Sequence, residues 1–175
     1  MDKTLSNSRI STADIVKIAI VAALYVAVTL MISPIASGPI QFRVSELFNF
    51  LAFYNKRYIW AVTLGCAIAN YFSSTSLGWP DVIIGSLSTL IFLSLGVWIT
   101  KGLEGKRLFT IINLRFLAFS VFFAASMFTI GAELHVILHI PFWLTYFQVA
   151  IGEFGALFVG GFIVEALSKV IDLRK

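Results

Sequence analysis

The sequence predicts an all-α integral membrane protein, a bundle of six transmembrane helices, and three observations carry that prediction. Mean hydropathy is +0.93 and only 13% of residues are charged, where a soluble domain carries about a quarter. Long apolar runs recur between short polar stretches. Crossing a hydrocarbon core of roughly 30 Å takes about 20 residues, so 175 residues hold about six spans with short loops and no soluble catalytic domain.

Taken in order, the first span is expected over 13–33, after the polar segment MDKTLSNSRIST and before Pro34. A shorter second span, 43–54, follows Arg43 through VSELFNFLAFY and ends at NKR. The third covers 58–72. SSTSLGWP is then a turn cluster, and Pro80 opens the fourth span, 80–100, proline being tolerated in the first turn of a helix. KGLEGKR is the next polar loop. The fifth span is expected over 108–135, LHIP turns the chain, and the sixth covers 142–169. All of this forms one transmembrane domain, 1–175. A cleaved signal peptide over 1–37 is the weaker reading, because its apolar region of about 16 to 20 residues exceeds the usual 7 to 15.

With six spans and both termini in the cytoplasm, Lys3, Arg9, Lys17, Lys56, Arg57, Lys101, Lys106, Arg107, Arg115, Lys169, Arg174 and Lys175 all fall on the inner side. Arg43 alone falls outside. This bias follows the positive-inside rule and accounts for the basic pI near 9.4 without nucleic acid. The single cysteine, Cys66, lies in an apolar run and offers neither a disulfide nor a cysteine metal site.

The acids are the informative residues. Glu46, Asp81, Glu133 and Glu153 lie in the outer half or within spans. A carboxylate at the centre of a membrane helix costs roughly 2.5 to 3.5 kcal/mol, so such groups face the bundle interior, pair with a cation, or line a ligand site. Helical spacing puts Glu133 on one stripe with Ser126, Thr129 and Ile130, Glu153 with Tyr146 and Ala150, and Asp81 with Gly85 and Ser88. Asn70 ends the third span nearby. These residues, with the rings of Trp79, Trp143 and Tyr146, are expected to converge on one outward-opening acidic cavity, the rings stacking on a flat ligand and the acids accepting from its donors.

Plainer roles compete for each residue. Asp81 sits in a first helical turn, where the helix dipole favours a carboxylate. Trp79 and Trp143 lie where an aromatic belt is expected. Arg43 and Glu46, three apart, are spaced to pair with each other. Glu153, about 12 residues into its span, has no basic residue at matching depth. His135 and His139 with Glu133 form a possible metal site, but two histidines at a helix end more often only touch water, and no metal or other cofactor is expected.

Ala19, Ala23 and Ala27, four apart in the first span, form a small-residue stripe that lets another helix approach closely, in this bundle or in another protein. Gly152, Gly155, Gly160 and Gly161 indicate tight packing of the last span, expected to be internal.

The segments ALYVAVTL, GPIQFRVSE, DVIIGSL and WLTYFQVAIGE closely resemble the queuosine-precursor transporter (QueT) family, membrane-embedded substrate-binding components of energy-coupling factor transporters. The resemblance runs from about Asp14 to Leu167. It implies a six-helix substrate-binding-component fold in the cell membrane that takes up a 7-deazaguanine, such as 7-aminomethyl-7-deazaguanine. It also implies partners: a transmembrane coupling subunit and two cytoplasmic ATPases. In such components an alanine pattern on the first helix contacts the coupling subunit, which carries over to Ala19, Ala23 and Ala27.

The residues agree with that implication. The chain has no GxxxxGK[ST] phosphate loop, so ATP hydrolysis must come from a partner. One carboxylate can accept two N–H donors of a guanine-like base, and another can offset an aminomethyl ammonium; Glu133 and Glu153 are the candidates. Gln41 or Asn70 suits the ring carbonyl. Arg43 and Glu46 serve as a latch holding the first outer loop over ligand or as direct contacts. Three rivals are a component for another vitamin, a small membrane enzyme using Ser126 near Glu133 or the histidines, and a secondary transporter or channel using the acids as a proton or cation relay.

Overall fold

The computed structural model describes residues 11–36, 42–73 and 76–174, with side chains from 33 to 36 left aside. The described residues form six α-helices: α1 (Thr12–Ala36), α2 (Tyr58–Phe72), α3 (Trp79–Ile99), α4 (Leu114–Ala125), α5 (Phe128–Leu138) and α6 (Phe142–Leu167). A 3₁₀ helix, Val44–Phe53, lies between α1 and α2, and a small antiparallel hairpin pairs β1 (Arg107–Leu108) with β2 (Ile112–Asn113).

Among the described residues, four segments are long and apolar enough to cross a membrane: Thr12–Ile32, Trp79–Leu103, Leu114–Leu138 and Phe142–Leu167. The two shorter apolar helices fall short on length alone. Ten residues of 3₁₀ helix rise about 20 Å and fifteen of α-helix about 22 Å, against a hydrocarbon core of roughly 30 Å. The expected second span is therefore the 3₁₀ helix, packed beside α1, α2 and α6.

Polarity runs inside out, as lipid requires. On α3 the exposed stripe is Ile83, Leu87, Ile91 and Leu95, while Gly85, Ser88, Thr89 and Leu93 face inward. In water that pattern would leave a large apolar patch open to solvent. In a bilayer it lets each helix satisfy its backbone internally and present only hydrocarbon to the tails. The protein is a multi-pass membrane protein of the cell membrane.

Several boundaries differ from those expected, the end of α5 at Leu138 and not 135 among them. The fifth span begins at Leu114, not 108, because Asn113 caps it: its Oδ1 accepts from the backbone N–H groups of Arg115 at 3.1 Å and Phe116 at 3.4 Å. Residues 107–113 instead form the hairpin, turned by Phe109 and Thr110 at positive φ. The span is also broken at Ser126 and Met127, where the Ser126 hydroxyl donates to the Phe123 carbonyl at 2.6 Å, competing with the helical ladder. α1 likewise continues to Ala36, two residues past Pro34.

Close approaches hold the bundle together. A Cβ on Gly160 would lie 2.6 Å from Leu47 Cβ and 3.0 Å from Leu47 Cα, so only glycine lets α6 press against the 3₁₀ helix. Phe50, Phe116, Phe119 and Phe123 then fill the centre, the Phe50 and Phe116 ring centroids 4.6 Å apart. At one end of the bundle, ion pairs join Arg57 to Asp14, Arg107 to Glu165 and Arg115 to Glu104. Arg43, Asn70 and Asp81 lie at the other.

Candidate functional site

The site is assembled from polar residues that apolar helices can carry only if something satisfies them. On α1, Tyr25 and Thr29 are one turn apart and face the 3₁₀ helix. The Tyr25 hydroxyl donates to Glu46 Oε1 at 2.6 Å, and the Thr29 hydroxyl bonds Ser45 Oγ at 2.7 Å. Asn49 Nδ2 donates to Glu46 Oε2 at 2.7 Å. Glu46 is thus buried with both oxygens engaged.

This corrects the expected Arg43–Glu46 pair: the ion pairs among the described residues do not include it. A 3₁₀ helix has three residues per turn, so the partner stacked directly on Glu46 within it is Asn49. Arg43 precedes the helix, and Tyr25 takes the remaining oxygen. The charge of Arg43 still acts on both Glu46 and Glu153.

The second wall comes from α2 and α3. Asn70 is buried and its Nδ2 donates to the Asp81 carbonyl at 2.9 Å. Gly85 makes room for it, since a Cβ there would lie 2.5 Å from the same nitrogen. Asp81 Oδ2 accepts from the Leu77 N–H at 2.7 Å, which anchors the entry to α3. The plainer role weighed for Asp81, service at a helix start, therefore occupies one of its oxygens.

α5 and α6 supply the remaining acids. Glu133 is 4% exposed and Glu153 2%. Glu153 Oε1 has no hydrogen-bond partner among the described residues, and the Glu133 side chain meets the Asp81 carboxyl, acid against acid. A cavity of about 50 Å³ opens here, lined by Arg43, Asn70, Ser73, Ser76 and Asp81 on its polar side and by Ile130 and Leu134 on the other. Buried polar atoms are almost always hydrogen-bonded, so a Glu153 oxygen without a donor and a Glu133 carboxyl set against another acid mark a place built for donors from elsewhere. The arrangement can take a cationic or N–H-rich molecule.

A model of the QueT transporter family matches residues 15–169 of this chain. The chain belongs to that family. It is 52% identical over 167 residues to the queuosine precursor transporter QueT of Lactococcus lactis subsp. cremoris (strain MG1363), covering 94% of this chain and 97% of the relative. No solved structure matches it.

Within this QueT-family chain the structure brings Arg43, Asn70 and Asp81 onto one cavity, sets Glu133 against Asp81, and holds Glu153 and Glu46 within reach of the Arg43 charge. The aromatic residues are not gathered with them. Trp79 and Trp143 are about two-thirds exposed, as belt residues are. Tyr146 stacks on Phe142 at 6.0 Å and bonds the Ala125 carbonyl at 3.3 Å. Gln41 lies outside the described residues. His135 Nδ1 bonds the Ile140 carbonyl at 2.6 Å, and no group of three metal-ligating side chains occurs among the described residues.

Ala19, Ala23 and Ala27 are exposed, whereas Ala22 and Tyr25 on the opposite side of α1 are buried. The alanine face is therefore left open by the described bundle. The glycines of α6 do pack inside it, Gly160 on Leu47 and Gly161 on Phe50 and Phe116.

Sequence reasoning did not single out Tyr25, Asn49, Ser73 or Ser76. Tyr25 and Thr29 share one helical stripe on α1, and Ser45, Glu46 and Asn49 recur at three- and four-residue spacing, so a polar-periodicity signal was present. Ser73 and Ser76 carry no such signal, because turn residues are polar for many reasons.

Proposed function

We propose that this protein is the substrate-binding component of an ATP-driven importer of the energy-coupling factor type, taking up a queuosine precursor of the 7-deazaguanine class from outside the cell. The observation that carries the reading is a pair of buried acids, Glu153 with an oxygen that lacks a donor among the described residues and Glu133 against Asp81, which lines a small polar cavity with Asn70. A guanine-like ring presents adjacent N–H donors that a carboxylate accepts in pairs, and an aminomethyl ammonium supplies the charge that the acids need. Gln41, or Asn70 once its amide leaves the Asp81 carbonyl, serves the ring carbonyl. The relative's name supports the same substrate class.

In this reading the six segments act as six membrane-embedded helices with both termini in the cytoplasm, the 3₁₀ helix and α2 being the short pair. The cation-rich end, with Lys56, Arg57, Lys101, Lys106, Arg107 and Arg115, faces inward by the positive-inside rule. The cavity then faces outward. At about 50 Å³ it is well below the roughly 300 Å³ at which ligand pockets begin, so binding requires its lining to move apart. The open Ala19, Ala23 and Ala27 face is the docking surface for the coupling subunit, which relays work from two ATPases.

The test is binding by the purified protein in detergent, titrated with 7-aminomethyl-7-deazaguanine and, separately, riboflavin, thiamine and biotin. Saturable binding of the deazaguanine alone is expected. A folded protein that ignores every 7-deazaguanine overturns the substrate assignment. Uptake that persists in cells without the ATPases overturns the importer assignment in favour of a secondary carrier.

A further inference from the structure

At the end of the bundle opposite the acidic cavity lies a larger one, of about 460 Å³, between the 3₁₀ helix, the start of α2, the end of α3 and the start of α4. The packed rings of Phe50, Phe116 and Phe119 stand between the two. Its charged lining is Lys56, Lys101 and Arg115 against Glu104. Three cations meet one acid.

Arg115 is the decisive residue. It is 9% exposed, its guanidinium carbon lies 4.7 Å from the Phe53 ring centroid, and one terminal nitrogen reaches Glu104 Oε2 at 3.2 Å. Its Nε has no hydrogen-bond partner among the described residues. A guanidinium offers its donors as a fixed planar fork that fits the oxygens of phosphate, and a buried N–H without an acceptor is a cost the fold would shed if no ligand used it. Glu104, 62% exposed on its side chain, does not fill the pocket. Trp98, 72% exposed, stands at the pocket's rim and faces the lipid side, as interfacial tryptophans do.

We propose that this pocket binds a phosphate-bearing anion, its phosphate oxygens taken by Arg115 and by the mobile ammonium groups of Lys56 and Lys101. The volume suits a glycerophosphate-sized group and is too large for a bare ion pair with Glu104. Two sources offer that chemistry: the headgroup of an anionic lipid, which basic pockets at a membrane face are placed to hold, and free phosphate or a small phosphate ester. The pocket's chemistry stands independently of the substrate reading above; only its assignment to the cytoplasmic leaflet rests on the orientation given there.

The experiment uses the full-length protein in detergent, titrated with dioleoylphosphatidylglycerol or dioleoylphosphatidylcholine and analysed by native mass spectrometry, with and without inorganic phosphate. Phosphatidylglycerol is expected to be retained at least about tenfold more tightly than phosphatidylcholine. The preference is expected to vanish in the Lys56→Gln/Lys101→Gln double variant, whose two sites are exposed and whose folding is not at risk. A Lys106→Gln/Lys169→Gln double variant, also exposed and outside the pocket, is expected to keep it. Persistence in phosphate identifies a lipid headgroup. Loss in phosphate, with phosphate alone raising the thermal midpoint of the unsubstituted chain but not of the Lys56/Lys101 variant, identifies a soluble phosphate. Equal retention of the two lipids without any phosphate effect, or equal loss in both double variants, overturns the proposal.

Discussion

Glu153→Gln separates a ligand-binding acid from a structural one because the two roles move opposite readouts. Glu153 is 2% exposed, so solvent screens its interactions little, and its Oε1 has no donor among the described residues. Hydrogen bonds to a charged group contribute about 1.5 to 3 kcal/mol, against about 1 for neutral pairs, so neutralising the acceptor is expected to remove about 0.5 to 2 kcal/mol of binding, a range that spans a tenfold loss in affinity. The empty protein responds differently. Replacing a buried acid by an amide relieves a burial cost but loses the attraction of Arg43, so the thermal midpoint of the ligand-free variant is expected to stay close to that of its parent. The assay is a titration of 7-aminomethyl-7-deazaguanine into both proteins in detergent, with thermal unfolding recorded in parallel. An unchanged affinity together with a lowered midpoint would refute the reasoning and make Glu153 a packing residue.

Three further substitutions test the frame around the site. Gly160→Ala is expected to lower the thermal midpoint, by about 1 to 3 kcal/mol of overpacking, because its Cβ would meet Leu47 at 2.6 Å; Gly102→Ala, with open space around it, should leave the midpoint unchanged. Tyr25→Phe strips Glu46 Oε1 of its donor and is expected to cost about 1 to 3 kcal/mol, part of which Tyr25→Phe/Glu46→Gln restores; a single variant as stable as its parent in a detergent melt would show that the bond at 2.6 Å contributes nothing. Ala23→Phe, on the open face of α1, is expected to leave deazaguanine binding intact while abolishing co-purification with the coupling subunit, and lost ligand binding would show instead that the stripe packs within the bundle.

Much of the fold was legible because lipid reduces the choices. Where no water is available to the backbone, an apolar run long enough to cross must be helical, so hydropathy, Pro80 and the polar loops located α3 and α6 to within a few residues. The same physics made the buried acids conspicuous, since Glu133 and Glu153 have no cheap place in hydrocarbon. The capped start of α4 was harder. Asn113 and the hairpin before it lie in a polar-to-apolar transition that hydropathy blurs, and the break at Ser126 falls inside one apolar run.

The sequence by itself determined that this chain lives in a membrane, where its helices run, which family's pattern it carries, and that several acids had to face inward. Only the tertiary structure decided who answers each of them. Glu46 turned from Arg43 to Tyr25, 21 residues away, and to Asn49, because a 3₁₀ helix stacks every third residue and brings α1 alongside. Glu133 was left against another acid, and Glu153 Oε1 without a donor among the described residues. Periodicity can say which face a residue occupies on its own helix. Which atom it meets across the bundle is fixed by how far neighbouring backbones approach, and here that depends on small residues such as Gly85 and Gly160.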